Sequence, residues 1–363
     1  MALLWIDGFD AYGGDGVDIT SVVTSSGYTL WGPDGGDTGN IHITASANTR
    51  TGVGFSMSTF APGITWAPAC GFVRNFAVSA GVVFGFALKM TNDEFTPIVQ
   101  VGYNNLVGTI GNQLQLSANG QAGLTAQTGD GDLVAASPPN CLFPGIWQYI
   151  EVLYTPCGVS GGLGSLQIKI DGAVVINVTD AKTSTAAYPS MLNSVSFLQS
   201  SSNQMWVDDL YICDQTGSAF NTYLGDCVVH AIFPDADAGP NSMTQTGGSA
   251  GHFSSVDDQT PPGDSSYLSS ATSGQQEMFG LNTFPTDIID VLAMGINVRA
   301  RKTTAGYANY EAACVVGSTE ADGSPIPTNL DYETTQTLFP LPPGGGAWTT
   351  TMAQAAVIGF KLP

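Results

Sequence analysis

Between Trp147 and Ile212 the chain carries a succession of strand-like runs, and over Leu166–Ile170 apolar residues alternate with polar ones at the period of a half-buried strand. Leu166, Ile168 and Ile170 occupy every second position, Asp171-Gly172 follows, and Ala173–Val178 resumes an apolar run. Asp-Gly supplies the two positive-φ residues of a type I′ turn, so this pattern predicts a tight hairpin. Similar runs predict strands over Leu3–Phe9, His42–Thr44, Gly81–Lys89, Pro97–Tyr103, Gln113–Ser117, Trp147–Tyr154, Ser194–Leu198 and Trp206–Ile212. Gly, Asn, Asp, Ser and Pro clusters separate them, and no amphipathic helix of useful length precedes residue 215. Many short strands between turn signals predict a sandwich or barrel rather than βαβ units.

The polar stretch Asp214–Ser218 predicts a boundary, with one domain over 1–214 and a smaller β-sandwich over 215–363. In the second, Gly225–Pro234 reads as a strand ended by proline, and Asp235–Gly251 reads as a loop. Strands are expected at Tyr267–Ser270, Gln275–Gly280 and along the run Ile288–Arg301. In that run Leu292, Met294, Ile296 and Val298 share one face. Its expected partner is Asn309–Val316, with Tyr310, Ala312, Cys314 and Val316 inward. A short helix is expected within Trp348–Ala356, starting at Thr349, before a final strand at Ile358–Leu362. No period of a solenoid or propeller repeats.

Composition narrows the function. The 363 residues are enough for two cores. Charged residues make up only 11% and the net charge is −21, with nine Lys and Arg in all. Nucleic-acid binding needs clustered cations, and the densest group, Arg299, Arg301 and Lys302, reads as a solvated strand end. Adsorption to anionic membrane is disfavoured on the same ground. The start at Met1 lacks the basic region of a signal peptide, and no run reaches 18 apolar residues. The six cysteines form no C-x-x-C, so zinc ribbons and thioredoxin-like motifs have no support. They read as buried free thiols, Cys213 and Cys227 being the pair close to the boundary.

Motifs of catalysis are sparse. His42, His230 and His252 are too scattered for a metal triad, and each reads as a strand cap or surface residue. Two G-x-S-x-G matches, around Ser160 and Ser249, lack the strand–helix setting of a nucleophile elbow. The six glutamates, at 94, 151, 277, 311, 320 and 333, never fall at the spacing of a glycosidase pair. Aspartate is plentiful, and calcium takes such oxygen ligands. Asp7 and Asp10, with Asp208 and Asp209, form the candidate calcium set, against the alternative that they cap turns. Trp31, Trp66, Tyr103, Tyr188 and Tyr267 lie in or beside turn-rich segments where a ring face would stack on a sugar. Trp5, Trp147 and Trp206 fall in strands and read as core.

The order of a Trp147-initiated strand, the Ile170-Asp171-Gly172 hairpin and Trp206-Val207-Asp208-Asp209 resembles the concanavalin A-like (laminin-G-like) jelly roll. The resemblance implies an all-β fold, a concanavalin A-like jelly-roll sandwich followed by a second, smaller β-sandwich. It also implies that first and last strands are neighbours, which would gather the four aspartates. The glucanase E-x-D-x-x-E run is absent, so the enzymatic part of that group is not implied. The N-terminal WIDGFDAYG, the WVDDLYICD strand, Leu224-Gly225-Asp226, His252–Asp258, SSYLSS at 265–270, Arg299-Ala300-Arg301-Lys302 and the closing IGFKL together resemble structural proteins of tailed-bacteriophage virions. That resemblance implies a virion location, on capsid or tail, with other virion proteins as partners and homo-oligomeric assembly. A non-enzymatic structural role with a glycan-adhesive face is the expected function. A host-surface lectin is the alternative, and a polysaccharide hydrolase or lyase the third reading.

Overall fold

Asp171 and Gly172 take φ values of 49° and 78°, as a type I′ turn requires, and the strands on either side pair antiparallel. The computed structural model that shows this describes residues 3–12, 24–31, 41–45, 50, 55–59, 70–94, 96–104, 110–158, 162–185, 192–199, 203–259, 263–286, 288–306 and 308–363. The chain is all-β and divides into two units, Met1–His230 and Ala231–Pro363.

Strands of the first unit are β1 (Leu3–Asp7), β2 (Tyr28–Trp31), β3 (Ile41–Ala45), β4 (Phe55–Thr59), β5 (Cys70–Ser79), β6 (Val82–Met90), β7 (Thr96–Asn104), β8 (Ile110–Ala118), β9 (Leu124–Thr128), β10 (Leu133–Ala136), β11 (Gln148–Thr155), β12 (Gly164–Ile170), β13 (Ala173–Ala181), β14 (Leu192–Gln199) and β15 (Met205–Asp214). Among the described residues they form two antiparallel sheets. The first runs β13-β12-β11-β6-β15-β4-β3, with β1 also on β15; the second runs β10-β9-β8-β7-β14-β5-β2. Phe84, Phe86, Val152 and Ile168 of the first sheet and Phe72, Leu114 and Phe197 of the second are fully buried in one core. Phe86 meets Phe197 edge-on across the two sheets at 4.9 Å between centroids. Strands the pattern did not predict, β2, β4, β5, β9 and β10, are short or carry polar and small residues. In β9 the inward positions are Leu124, Ala126 and Thr128, too weakly apolar to announce a strand.

The first unit ends at His230, beyond the boundary expected at Asp214, because 215–230 is bonded to the first sheet. Leu224 N donates to Tyr211 Oη (3.2 Å), Gly225 N to Glu151 Oε1 (2.8 Å) and Val229 N to Asp209 Oδ1 (2.8 Å). These backbone groups are satisfied by side chains, so the strand expected at Gly225–Pro234 does not form. Gly8 lies under this strap, and a Cβ there would meet Val229 O at 2.1 Å.

The second unit holds β16 (Pro234–Asn241), β17 (Thr244–Thr246), β18 (Tyr267–Ser269), β19 (Gln276–Leu281), β20 (Met294–Ala300), β21 (Asn309–Val316), β22 (Thr319–Asp322), β23 (Ile326–Pro327), β24 (Glu333–Phe339) and β25 (Val357–Lys361). Its main sheet runs β16-β19-β25-β21-β22. Three expectations are corrected here. The segment expected as a loop begins with the edge strand β16, whose two prolines stand where no ladder N–H is needed, Pro234 at its first position and Pro240 in the irregularity between Asp237 and Asn241. The run Ile288–Arg301 becomes a strand only from Met294 onward, and Ile289 before it is 86% exposed. β20 pairs with β24 rather than with β21, whose ladder is taken by β25 and β22. The helix forms at Thr350–Gln354, and Thr349 Oγ1 caps it by accepting from Met352 N (3.1 Å). Ile296, Ala312, Cys314, Phe339, Trp348 and Ala353 make its core.

Candidate functional site

The Trp-x-Asp-Asp end of β15 carries a bulge between Asp208 and Tyr211, with Asp209 at φ 51°. The irregularity breaks the strand's alternation, so two consecutive carboxylates meet one residue, Arg50, Asp209 through its guanidinium and Asp208 through its backbone N–H. Arg50 Nη1 donates to Asp209 Oδ2 (3.2 Å) and Cys227 O (2.8 Å), its backbone N to Asp208 Oδ2 (3.3 Å), and Nη2 to Asp226. Burial raises the pKa of both aspartates. The neighbouring charge of Asp209 pushes Asp208 further up, while Val229 N–H and Arg50 counter the rise at Asp209.

β1 does lie beside β15, with Asp7 opposite Leu210. Asp10 is close enough for its charge to add to the upward push on Asp208. Asp7 points elsewhere: it accepts from Phe9 N (2.8 Å), Tyr28 Oη (2.8 Å) and Tyr12 Oη, and burial raises its pKa. The calcium set Asp7, Asp10, Asp208 and Asp209 is therefore not assembled. Among the described residues no group of three or more His, Cys, Asp or Glu is placed to hold a metal. Asp7 is taken up by Phe9, Tyr12 and Tyr28, and Arg50 supplies the positive charge that Asp209 faces.

On the same sheet Glu151, 2% exposed, accepts from Tyr211 Oη (2.7 Å) as well as from Gly225 N. Tyr223 Oη donates to Gln167 O (2.9 Å), and Lys169 Nζ stands 3.9 Å from the Tyr223 ring centroid. Glu151 and Asp209 thus fasten the 215–230 strap, while Asp208 accepts from the backbone N of Arg50 and of Asp209.

The second sheet turns a different surface outward. Leu114, Leu116, Val99, Val101 and Ala126 face the core, so Gln115, Gln100 and Gln127 between them face away. Register places these side chains in one row across the strands. Gln127 (β9) stands opposite Gln115 (β8), Gln115 opposite Gln100 (β7), Gln100 opposite Ser196 (β14), and Ser196 opposite Val73 (β5). A parallel row begins with Thr125 opposite Ser117. Gln100 Nε2 donates to Gln115 Oε1 (2.7 Å), and Gln115 Nε2 to Ser117 Oγ (3.1 Å). Gln100, Gln115, Thr125 and Gln127 are half-buried, whereas Ser196 and Val73 are buried. None of these residues is ionisable. Motif reading passed over this row because its only sequence signal is Gln and Ser at period two in β8.

Other candidates fall apart. Trp5 and Trp206 are buried, Trp147 and Tyr103 half-buried, and Tyr267 is 36% exposed. The side chains of Trp31, Trp66, Tyr188, His42, Ser160 and Cys70 lie outside the described residues. Ser249 precedes only a 3-10 turn at His252–Ser255, not the helix of a nucleophile elbow. His252 Nδ1 lies 2.9 Å from Oε2 of Glu277, a fully buried carboxylate that also accepts from Met243 N (2.6 Å). Cys141, Cys157, Cys213, Cys227 and Cys314 are free thiols.

The fold thus defines an all-β sandwich protein. No family model and no curated protein matches the chain. Among solved structures it is similar to an endo-β-1,4-glucuronan lyase from the fungus Trichoderma reesei, at 16% identity and a TM-score of 0.37 over 52% of this chain and 94% of that one. A cellulose-induced protein shares 17% identity at a TM-score of 0.41, over 60% of this chain and 98% of that one. An alginate lyase in complex with alginate trisaccharide shares 12% identity at a TM-score of 0.40, over 58% and 97%. Likenesses at this level carry neither a family nor an activity to this chain.

Proposed function

We propose that the chain is a non-enzymatic, glycan-adhesive β-sandwich protein of a tailed-phage particle. One observation carries the adhesive part: the half-buried outer row of β7, β8 and β9 is built from side-chain amides and a hydroxyl, with no ionisable residue in it. Amides offer donors and acceptors that match sugar hydroxyls, and general acid–base catalysis needs titratable groups that this row lacks. The acidic cluster on the other sheet supports the same reading, because Glu151, Asp208 and Asp209 are only 2–5% exposed and each is taken up by backbone amides of the chain itself. The particle setting rests on the sequence resemblance in the N-terminal, Trp206–Asp214 and C-terminal segments.

A glycan array probed with the full chain, run beside an assay for new reducing ends and unsaturated products, tests the adhesive reading. Binding without turnover is expected; turnover of any bound polysaccharide would replace it with an enzyme. Peptides of this chain should co-purify with intact particles through a density gradient. Their confinement to the soluble lysate would remove the virion role.

A further inference from the structure

Resting on the adhesive reading, we infer that the Gln100–Gln115–Gln127 row selects uncharged glycans, laid across the strands of β7, β8 and β9, and rejects polyuronates and sulfated chains. The argument is one of charge and spacing. A carboxylate or sulfate on every sugar calls for Arg or Lys facing it. The outward positions of this row are Gln, Thr and Ser, and the nine Lys and Arg of the whole chain are outnumbered by thirty Asp and Glu. A polyanion would approach against a net charge of −21, and the cation beside the β9–β10 turn, Lys182, is already paired with Asp132.

Spacing sets the direction. Directly paired residues place one carboxamide per strand, and adjacent strands lie about 4.8 Å apart. That interval is close to the advance of successive pyranose rings along an extended chain, so a glycan crossing the strands meets one amide per sugar. The row is also held in advance. Gln100 and Gln115 bond to each other and Gln115 to Ser117, which lowers the ordering cost of binding, while the Gln127 carboxamide makes no hydrogen bond with a described residue. The amides extend over β7–β9, bounded at one end by Ser196, 1% exposed, and at the other by Leu133 of β10, which stands opposite Gln127 and is 66% exposed, so the amide platform spans three strands and takes a glycan segment of similar length.

The test is calorimetric titration of the full chain with a neutral β-glucan hexasaccharide and with an oligogalacturonate, at low and at physiological salt. Gln115→Ala and Gln127→Ala accompany the wild type, their folds checked by circular dichroism. Expected are binding of the neutral sugar independent of salt, no binding of the uronate, and at least a tenfold loss in each variant. Salt-sensitive preference for the uronate would overturn this inference and leave the adhesive reading standing. Neutral binding that both variants retain would place the site elsewhere and overturn it too. If neither these sugars nor any glycan on the array binds, the adhesive reading itself falls.

Discussion

Arg50 shows how one residue decides what a conspicuous acidic motif does. An aspartate pair on a late strand, with more aspartates at the neighbouring N-terminus, suggests a divalent cation. The side chain that faces it is a guanidinium, 17% exposed, bonded to Asp209, Asp226 and the Cys227 carbonyl. Removing it leaves Asp209 buried without its counter-charge, while the remaining partner, Val229 N–H, is only a dipole. Arg50→Met is therefore expected to cost about 3 kcal/mol, near the lower end for breaking a buried pair because Asp226 is half-exposed. Chemical denaturation measures that loss. Calcium against chelator should leave the wild-type midpoint unmoved, and an upward shift would return the aspartates to a metal role.

At the scale of elements, the strap 215–230 acts as part of the first sandwich although it contains no strand. Its backbone amides at 224, 225 and 229 are received by Tyr211, Glu151 and Asp209, all projecting from the first sheet. A fragment ending at residue 214 takes one hydrogen bond from each of these acceptors, at about 0.5–1.5 kcal/mol apiece, and uncovers the face the strap packs on, although Glu151 keeps Tyr211 Oη and Asp209 keeps Arg50. Fragment 1–230 should unfold cooperatively in urea, whereas fragment 1–214 should lose most of that stability. Equal midpoints for the two would show that the strap contributes nothing. The Asp171-Gly172 hairpin makes the opposite case: its conformation follows from two adjacent residues and needs no tertiary partner to be legible.

At the scale of the whole molecule, buried carboxylates and a large negative charge bias stability in the same direction. Asp7, Asp208 and Asp209 all have pKa values raised above the ordinary carboxylate value, chiefly by burial. The folded state thus holds protons more tightly than the unfolded chain. The stability these groups contribute is present below the unfolded value and is lost as pH rises through the folded ones. Lowering pH from about 8 to about 5 should therefore raise the thermal midpoint, and relief of the −21 net charge acts in the same sense. Asp208→Asn should flatten the slope, because its side chain stays neutral throughout. A midpoint that falls towards acid would contradict this account.

Sequence by itself determined the all-β class, the hairpin, most long strands of the first unit and the Thr349-capped helix. Each of these follows from local periodicity, turn chemistry or a cap, physics that acts over a few residues. The tertiary structure alone decided the pairing of β20 with β24, the end of the first unit at His230, the separation of Asp7 from Asp208, and the amide row. Register across strands is a long-range property: Gln100 and Gln127 become neighbours of Gln115 only when three strands align. The carboxylates likewise took their roles from partners distant in sequence, Arg50 for Asp209 and Gly225 for Glu151, and no local pattern encodes which distant group a buried charge will meet.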